Sequence, residues 1–159
     1  MIVEISSTNF RSFRTTQTLS MVKGKGDELP ENTFQVENIK DLDLLHSVAI
    51  YGANASGKSN LLRAVRSMKR IVTESSQRGI SLPLVPFKFN KDNLHKPTEF
   101  EIVFIVNKVR YQYGFSATEE QIFDEWLFAY PRGRAQKWFE RVWDAKDKKH
   151  LWHFGSSFV

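Results

Sequence analysis

The residues best equipped for chemistry lie at positions 52–59, Gly52-Ala53-Asn54-Ala55-Ser56-Gly57-Lys58-Ser59. They complete the pattern G-x-x-x-x-G-K-[ST], in which each fixed position has a physical task. Gly52 lets the chain turn where a side chain would obstruct it, and Gly57 allows successive backbone N–H groups to face an anion. A helix starting at this point adds the positive end of its dipole. Lys58 supplies a mobile positive charge for terminal phosphates, and the Ser59 hydroxyl is a ligand for Mg²⁺. The pattern predicts a site for the phosphates of ATP or a related nucleotide together with Mg²⁺. It does not choose between ATP and GTP, because no base-reading segment is recognisable.

Such a loop needs a strand before it and a helix after it. Residues 42–51 are mostly apolar (Leu44, Leu45, Val48, Ala49, Ile50, Tyr51) and stop at Gly52, which predicts a buried strand of a parallel sheet. Beyond Gly57 the period becomes helical. Leu61, Val65, Met68 and Val72 share one face, while Arg63, Arg66 and Arg70 share the opposite one. The cluster Ser75-Ser76-Gln77-Arg78-Gly79 is expected to end that helix. Upstream, Ile2, Val3 and Ile5 open a short strand, Leu19, Met21 and Val22 form a second apolar patch, and residues 23–32 read as a loop.

From Glu99 onward the pattern is that of an antiparallel meander. Strands are expected over 100–106, 110–117, 122–130, 136–144 and 150–154. Asn107-Lys108 and Pro131-Arg132-Gly133-Arg134 serve as turns. The fold class is therefore mixed α/β. A strand–loop–helix unit (1–79) precedes an antiparallel β region (80–159).

The segment Asn9-Phe10-Arg11-Ser12-Phe13, taken with Ala49-Ile50-Tyr51-Gly52-Ala53-Asn54-Ala55-Ser56-Gly57-Lys58-Ser59-Asn60-Leu61-Leu62, resembles the ABC-type ATPase heads of the RecF, SMC and OLD group. More narrowly, the chain is similar to bacterial AAA-type ATP-binding proteins of phage-defence and abortive-infection systems. The resemblance implies that Arg11 lies beside the loop and touches phosphate, with Ser12 nearby; a guanidinium suits that task. It further implies that Asn54 faces the nucleotide or a partner subunit, and that Asn60 belongs to the site. A longer parent would then be an ATP hydrolase acting as a homodimer of heads in the bacterial cytoplasm, beside nucleic acid or an effector such as a nuclease.

The departures from that group are as specific as the match. Its heads also carry an aspartate-ended strand with an adjacent glutamate, a Ser-Gly signature segment and sensing residues. Asp124-Glu125 imitates the acidic pair but sits in the aromatic meander, and reads as an ordinary strand with exposed acids. Gln77 and Gln112 are weak stand-ins for a sensing glutamine. The chain is accordingly expected to be the N-terminal lobe of a larger ATPase, binding nucleotide with little hydrolysis of its own. The alternatives are a non-catalytic interaction module governed by nucleotide and a small nucleotide kinase.

Composition limits the other classes. Cysteine is absent, which removes disulfides and cysteine metal sites and fits a reducing compartment. The longest apolar run, 102–106, is far below the ~20 residues that span a bilayer, so no membrane role is expected. The net charge of +5 is concentrated: residues 58–79 hold six basic residues against one acidic, and 131–159 hold seven against three. Arg63, Arg66 and Arg70 could meet nucleic-acid phosphates, and the 131–150 hairpin mixes cations with Trp138, Phe139 and Trp143. Both also read as ordinary solvated or core-facing surfaces. His46, His95, His150 and His153 show no metal-ligand spacing and read as structural.

Overall fold

A computed structural model of the chain describes residues 1–26, 28–74, 81–156 and 158. Its frame is a seven-stranded antiparallel sheet in the order β2-β1-β5-β6-β7-β8-β9. The strands are β1 (Ile2–Thr8), β2 (Gln17–Ser20), β5 (Thr98–Val106), β6 (Val109–Ala117), β7 (Ile122–Tyr130), β8 (Gln136–Asp144) and β9 (Lys149–Phe154). The meander thus forms where the alternation placed it. Its first turn, Asn107-Lys108, has φ of 49° and 64° at the two residues, the left-handed pair that a two-residue hairpin requires. The N-terminal strand joins the same sheet, since β1 pairs antiparallel with β5 from Ile2 opposite Phe104 to Thr8 opposite Glu99.

Two apolar clusters cover opposite faces at the β1–β5 end. On one face the helix α1 (Lys58–Glu74) packs Ala64, Met68 and Ile71 against Ile5, Phe10, Phe100 and Phe115. Phe10, Phe100 and Phe115 are wholly buried, and their rings meet at centroid distances of 5.2 and 5.6 Å. Truncating any one of them to alanine would cost about 3–5 kcal/mol. On the other face Val3 and Ile105 meet Val36 and Leu44, brought by the short hairpin β3 (Thr33–Gln35) and β4 (Asp43–Leu45).

The expectation for residues 42–51 is overturned. Only Asp43–Leu45 form a strand, and it pairs antiparallel with β3 in a separate two-stranded sheet. Val48 and Ile50 are 44% and 43% exposed, and Tyr51 is 89% exposed. The physical reason is the lack of a neighbour. Every strand pairing among the described residues is antiparallel, so no parallel ladder exists for this run to enter. Apolar composition alone cannot satisfy a strand's backbone.

The helix forms as read, but its buried stripe is rotated. Of the expected face, Met68 is buried and Val65 packs against the core, but the fully buried residues are Ala64, Ser67, Met68 and Ile71. Ala64 lets the helix axis approach the phenylalanine cluster, which a larger residue would hold away. Val65, Met68 and Val72 line the rim of an apolar groove of 620 Å³ between helix and sheet, opposite Phe104 and Leu127, and Val72 stays 52% exposed. The cluster 75–79 lies outside the described residues.

Beyond the helix, charged side chains enter the sheet. On β7, Asp124 accepts a hydrogen bond from Ser116 Oγ at 2.7 Å. Glu125 accepts one from Tyr113 Oη at 2.6 Å and pairs with Arg141 at 2.6 Å. The acids expected to be exposed are therefore half-buried and engaged. Burial, followed by the hydrogen bond to Glu125, raises the Tyr113 pKa well above its ordinary value. On the opposite face Glu99, an exposed residue whose carboxyl is only partly buried, is held above its ordinary 4.5, first by that partial burial and then by Glu101 and Asp124.

A carboxyl whose pKa is raised by folding favours the folded state while protonated and opposes it once ionised. Glu99→Gln should therefore raise the melting temperature near neutral pH. The gain should shrink on acidification and vanish below pH 4.5, the ordinary value for this group. Thermal unfolding of both proteins across that range measures it, and a pH-independent difference would contradict the cause given.

Candidate functional site

The loop 52–57 runs directly into the first turn of α1. Its tight curve is visible in what a side chain would meet. A Cβ on Gly52 would lie 2.8 Å from Ser56 Oγ, and one on Gly57 would lie 3.1 Å from Ser12 Oγ and 3.3 Å from the Phe13 ring. Gly57 has φ of 98°, and Ala55, a residue with a side chain, is held at 63°. Asn54 is exposed, and the left-handed position of the loop falls on its neighbour instead. Within the loop Ser56 N–H donates to Ala53 O at 3.2 Å, and Asn60 N–H donates to Gly57 O at 2.8 Å.

Lys58 curls back over this loop. Its ammonium donates to Gly52 O at 2.5 Å and to Ala53 O at 2.6 Å. Among the described residues, the N–H groups of Ala55, Gly57, Lys58 and Ser59 donate to no other residue. Ser59 is exposed, and α1 has no acidic residue in its first turn. Ammonium, hydroxyl and amide donors thus gather at the positive end of a helix with no carboxylate on that turn. That donor set fits a polyphosphate.

The second wall of the site comes from the turn after β1. Asn9 and Arg11 have φ of 53° and 52°, both left-handed. Asn9 is 3% exposed, and its side chain is fully used. Its amide nitrogen donates to Asn93 O at 2.9 Å and to Lys96 O at 2.8 Å. Its amide oxygen accepts from Phe87 N–H at 3.1 Å and from Asn93 Nδ2 at 3.2 Å. Its backbone carbonyl accepts from Thr98 Oγ1 at 2.7 Å. Asparagine tolerates this backbone conformation, and here it also joins three chain segments. Next to it, Arg11 N–H donates to Val85 O at 2.8 Å, and its guanidinium lies 5.6 Å from the centre of the Phe10 ring. Arg11 Nε is buried without a partner among the described residues.

The turn and the loop meet through Ser12. Asn60 Nδ2 donates to Ser12 Oγ at 2.8 Å, and Arg63 donates to Asn60 Oδ1 at 2.9 Å. Gly57, Asn60 and Ser12 therefore converge, although Ser12 and Asn60 are 48 positions apart. Asn9 is the functional residue that the sequence did not expose. It stood inside the quoted motif, but its long-range bonds reach segments with no recognisable pattern.

Other marked residues lie elsewhere. Asp124 and Glu125 are bound within the sheet as described, and Gln112 is held between Glu101 at 2.9 Å and Tyr130 at 2.6 Å. Gln77 lies outside the described residues. Arg70 pairs with Glu74 at 2.8 Å and Arg63 with Asn60, so of the basic stripe only Arg66 has no bonded partner among the described residues. Trp138 and Phe139 pack in the aromatic cluster of the last hairpin, meeting Phe158 at 6.0 Å each. His150 Nε2 lies 2.9 Å from Ile122 O, and the His46 ring lies tilted against Phe34 with centroids 4.7 Å apart. No helix among the described residues is long and apolar enough to cross a membrane.

A mixed α/β domain with an antiparallel sheet carries a glycine-bounded loop at a helix start, an arrangement consistent with a nucleotide-binding domain of ATPase type. The family described as "AAA domain, putative AbiEii toxin, Type IV TA system" matches residues 47–158, most of the chain, and the chain belongs to that family. That match fits an AAA/ABC-type ATPase of abortive-infection systems, as the resemblance implied. The match begins just before the loop and leaves the Asn9–Phe13 turn outside it. No curated protein matches the chain.

Asn9→Ala should destabilise the fold by about 3 kcal/mol, because the buried partner at 93 and the partly buried bonds to 87 and 96 are lost together. Urea unfolding measures this. A loss under about 0.5 kcal/mol would show that water replaces the side chain freely.

Proposed function

We propose that this chain is the nucleotide-binding lobe of a RecF/SMC/OLD-like ATPase head and that it holds Mg-ATP on residues 52–60. The observation that carries this reading is the convergence around one loop of Lys58, the Arg11–Ser12 turn and the N–H groups of 55, 57, 58 and 59, which donate to no other residue among the described residues. Backbone amides would hold phosphate oxygens, Lys58 would bind the terminal phosphates, and Arg11 would approach from the β1 side. Ser59 is the residue that would hold Mg²⁺, and the ion would supply positive charge to offset that of the phosphates.

Hydrolysis asks for more than this lobe offers. Asp124 and Glu125 are committed to Ser116, Tyr113 and Arg141 within the sheet, so neither is placed to act on water. The reading assigns that chemistry to a second lobe and to a homodimer of heads, in a protein serving bacterial anti-phage defence or DNA maintenance. The exposed apolar residues Val48, Ile50, Tyr51, Leu62 and Val72, all flanking the loop or its helix, support a lobe that meets another body there.

Isothermal titration with Mg-ATP tests the proposal. Lys58→Ala should weaken binding roughly 10- to 100-fold, the effect of removing a charge-assisted contact of ~1.5–3 kcal/mol. Phosphate release by the chain alone should stay at background. Equal affinity in the two proteins would refute the assignment of the loop.

A further inference from the structure

Asn60 directly follows the Gly-Lys-Ser run, and a role in touching nucleotide would suit its position. Its side chain is otherwise occupied. The amide nitrogen donates to Ser12 Oγ at 2.8 Å, and the amide oxygen accepts from Arg63 at 2.9 Å. Both polar ends are thus engaged by protein, one on the turn after β1 and one on the next turn of α1.

This matters because the two walls of the site have separate supports. The loop and Lys58 are carried by α1. The Arg11 turn is carried by the sheet through Asn9 and by Val85 through the Arg11 amide. Arg11 stands in a left-handed conformation that costs a non-glycine residue free energy, and its Nε has no partner among the described residues. The Asn60–Ser12 bond ties the two walls at side-chain level, beside the close approach of Ser12 and Phe13 to Gly57. Arg63 in turn fixes the orientation of the Asn60 amide, because only a donor at Oδ1 directs the nitrogen to Ser12.

We infer that Asn60, oriented by Arg63, is a positioning residue that locks the Arg11 turn onto the start of α1, so that Arg11 and Lys58 address one phosphate group together. The role rests on the nucleotide-binding reading above and specifies how the site is assembled. It also gives Arg63 a task inside the site instead of one on nucleic acid.

Four variants are needed beside the wild type: Asn60→Ala, Arg11→Ala, their double variant, and Ser12→Ala, which deletes the same bond from its other end. Asn60→Ala should weaken Mg-ATP about 3- to 10-fold in titration calorimetry, and should add nothing once Arg11 is alanine. Ser12→Ala should reproduce it, which protects the test if Asn60→Ala folds poorly. Equal losses with and without Arg11, or no loss at all, would overturn the proposal.

Hydrogen exchange gives a readout that does not depend on nucleotide. The amides of Arg11 and Phe13 should exchange about tenfold faster in Asn60→Ala, while those of β5 and β6 keep their wild-type rates. Unchanged exchange in the turn would sink the positioning role even if ATP binds. Failure of the wild type to bind ATP would instead sink the nucleotide reading, with the exchange rates still deciding whether Asn60 holds the turn.

Discussion

The site depends on one buried side chain carried on a left-handed turn. Asn9 sits in the left-handed region with its amide spent on residues 87, 93 and 96 and its carbonyl on Thr98. Each net hydrogen bond is worth about 1 kcal/mol, and together they outweigh the cost of that conformation. What they gain for the site is direction. The chain leaves β1 at a fixed angle, Arg11 follows in a second left-handed turn, and Ser12 and Phe13 arrive against Gly57. The antiparallel sheet supplies rigidity, since β1 and β5 are paired along their lengths and Phe10 and Phe100 are locked edge to face beneath the turn.

Much of this was legible in the amino-acid sequence because it is local. The meander strands alternate, Asn107-Lys108 announces a tight hairpin, and the glycine-bounded loop opens a helix as its pattern requires. What was not legible concerns neighbours. Residues 48–51 have the composition of a buried strand, but a strand is defined by the ladder beside it, and none stands there. The helix carries two adjacent apolar stripes, and composition favoured the bulkier one. Packing chose the stripe with Ala64 because close approach to three phenylalanines outweighs the size of the residues buried. The bonds of Asn9 and the engagement of the β7 acids have a related cause: their partners lie on other segments, at positions 87–98 for Asn9 and on neighbouring strands for the acids, and could be found only in three dimensions.

The energetics of the loop follow from the kinds of acceptor that its donors meet. Lys58 rests on two neutral carbonyls, so its charge is hydrogen-bonded within the chain. Exchange of those carbonyls for phosphate oxygens would replace neutral acceptors with ionised ones, and such bonds are roughly twice as strong. The ammonium would be satisfied before and after the exchange, so binding would draw on the difference between two good states and leave no unpaired charge on the path.

Arg11 presents the opposite case. Its Nε is buried and meets no acceptor among the described residues, a condition that costs about 1–3 kcal/mol in a folded protein. Residues in strained conformations with unmet donors persist where the surrounding structure over-determines them, and here Asn9 on one side and Ser12 on the other do so. An anionic acceptor at that guanidinium would return part of the cost. The two cations thus contribute differently to the proposed site: Lys58 by trading partners, Arg11 by gaining one. Affinity for phosphate then depends less on the number of charges than on how firmly the turn after β1 is held against the helix, and that is a property of neutral amides and a hydroxyl.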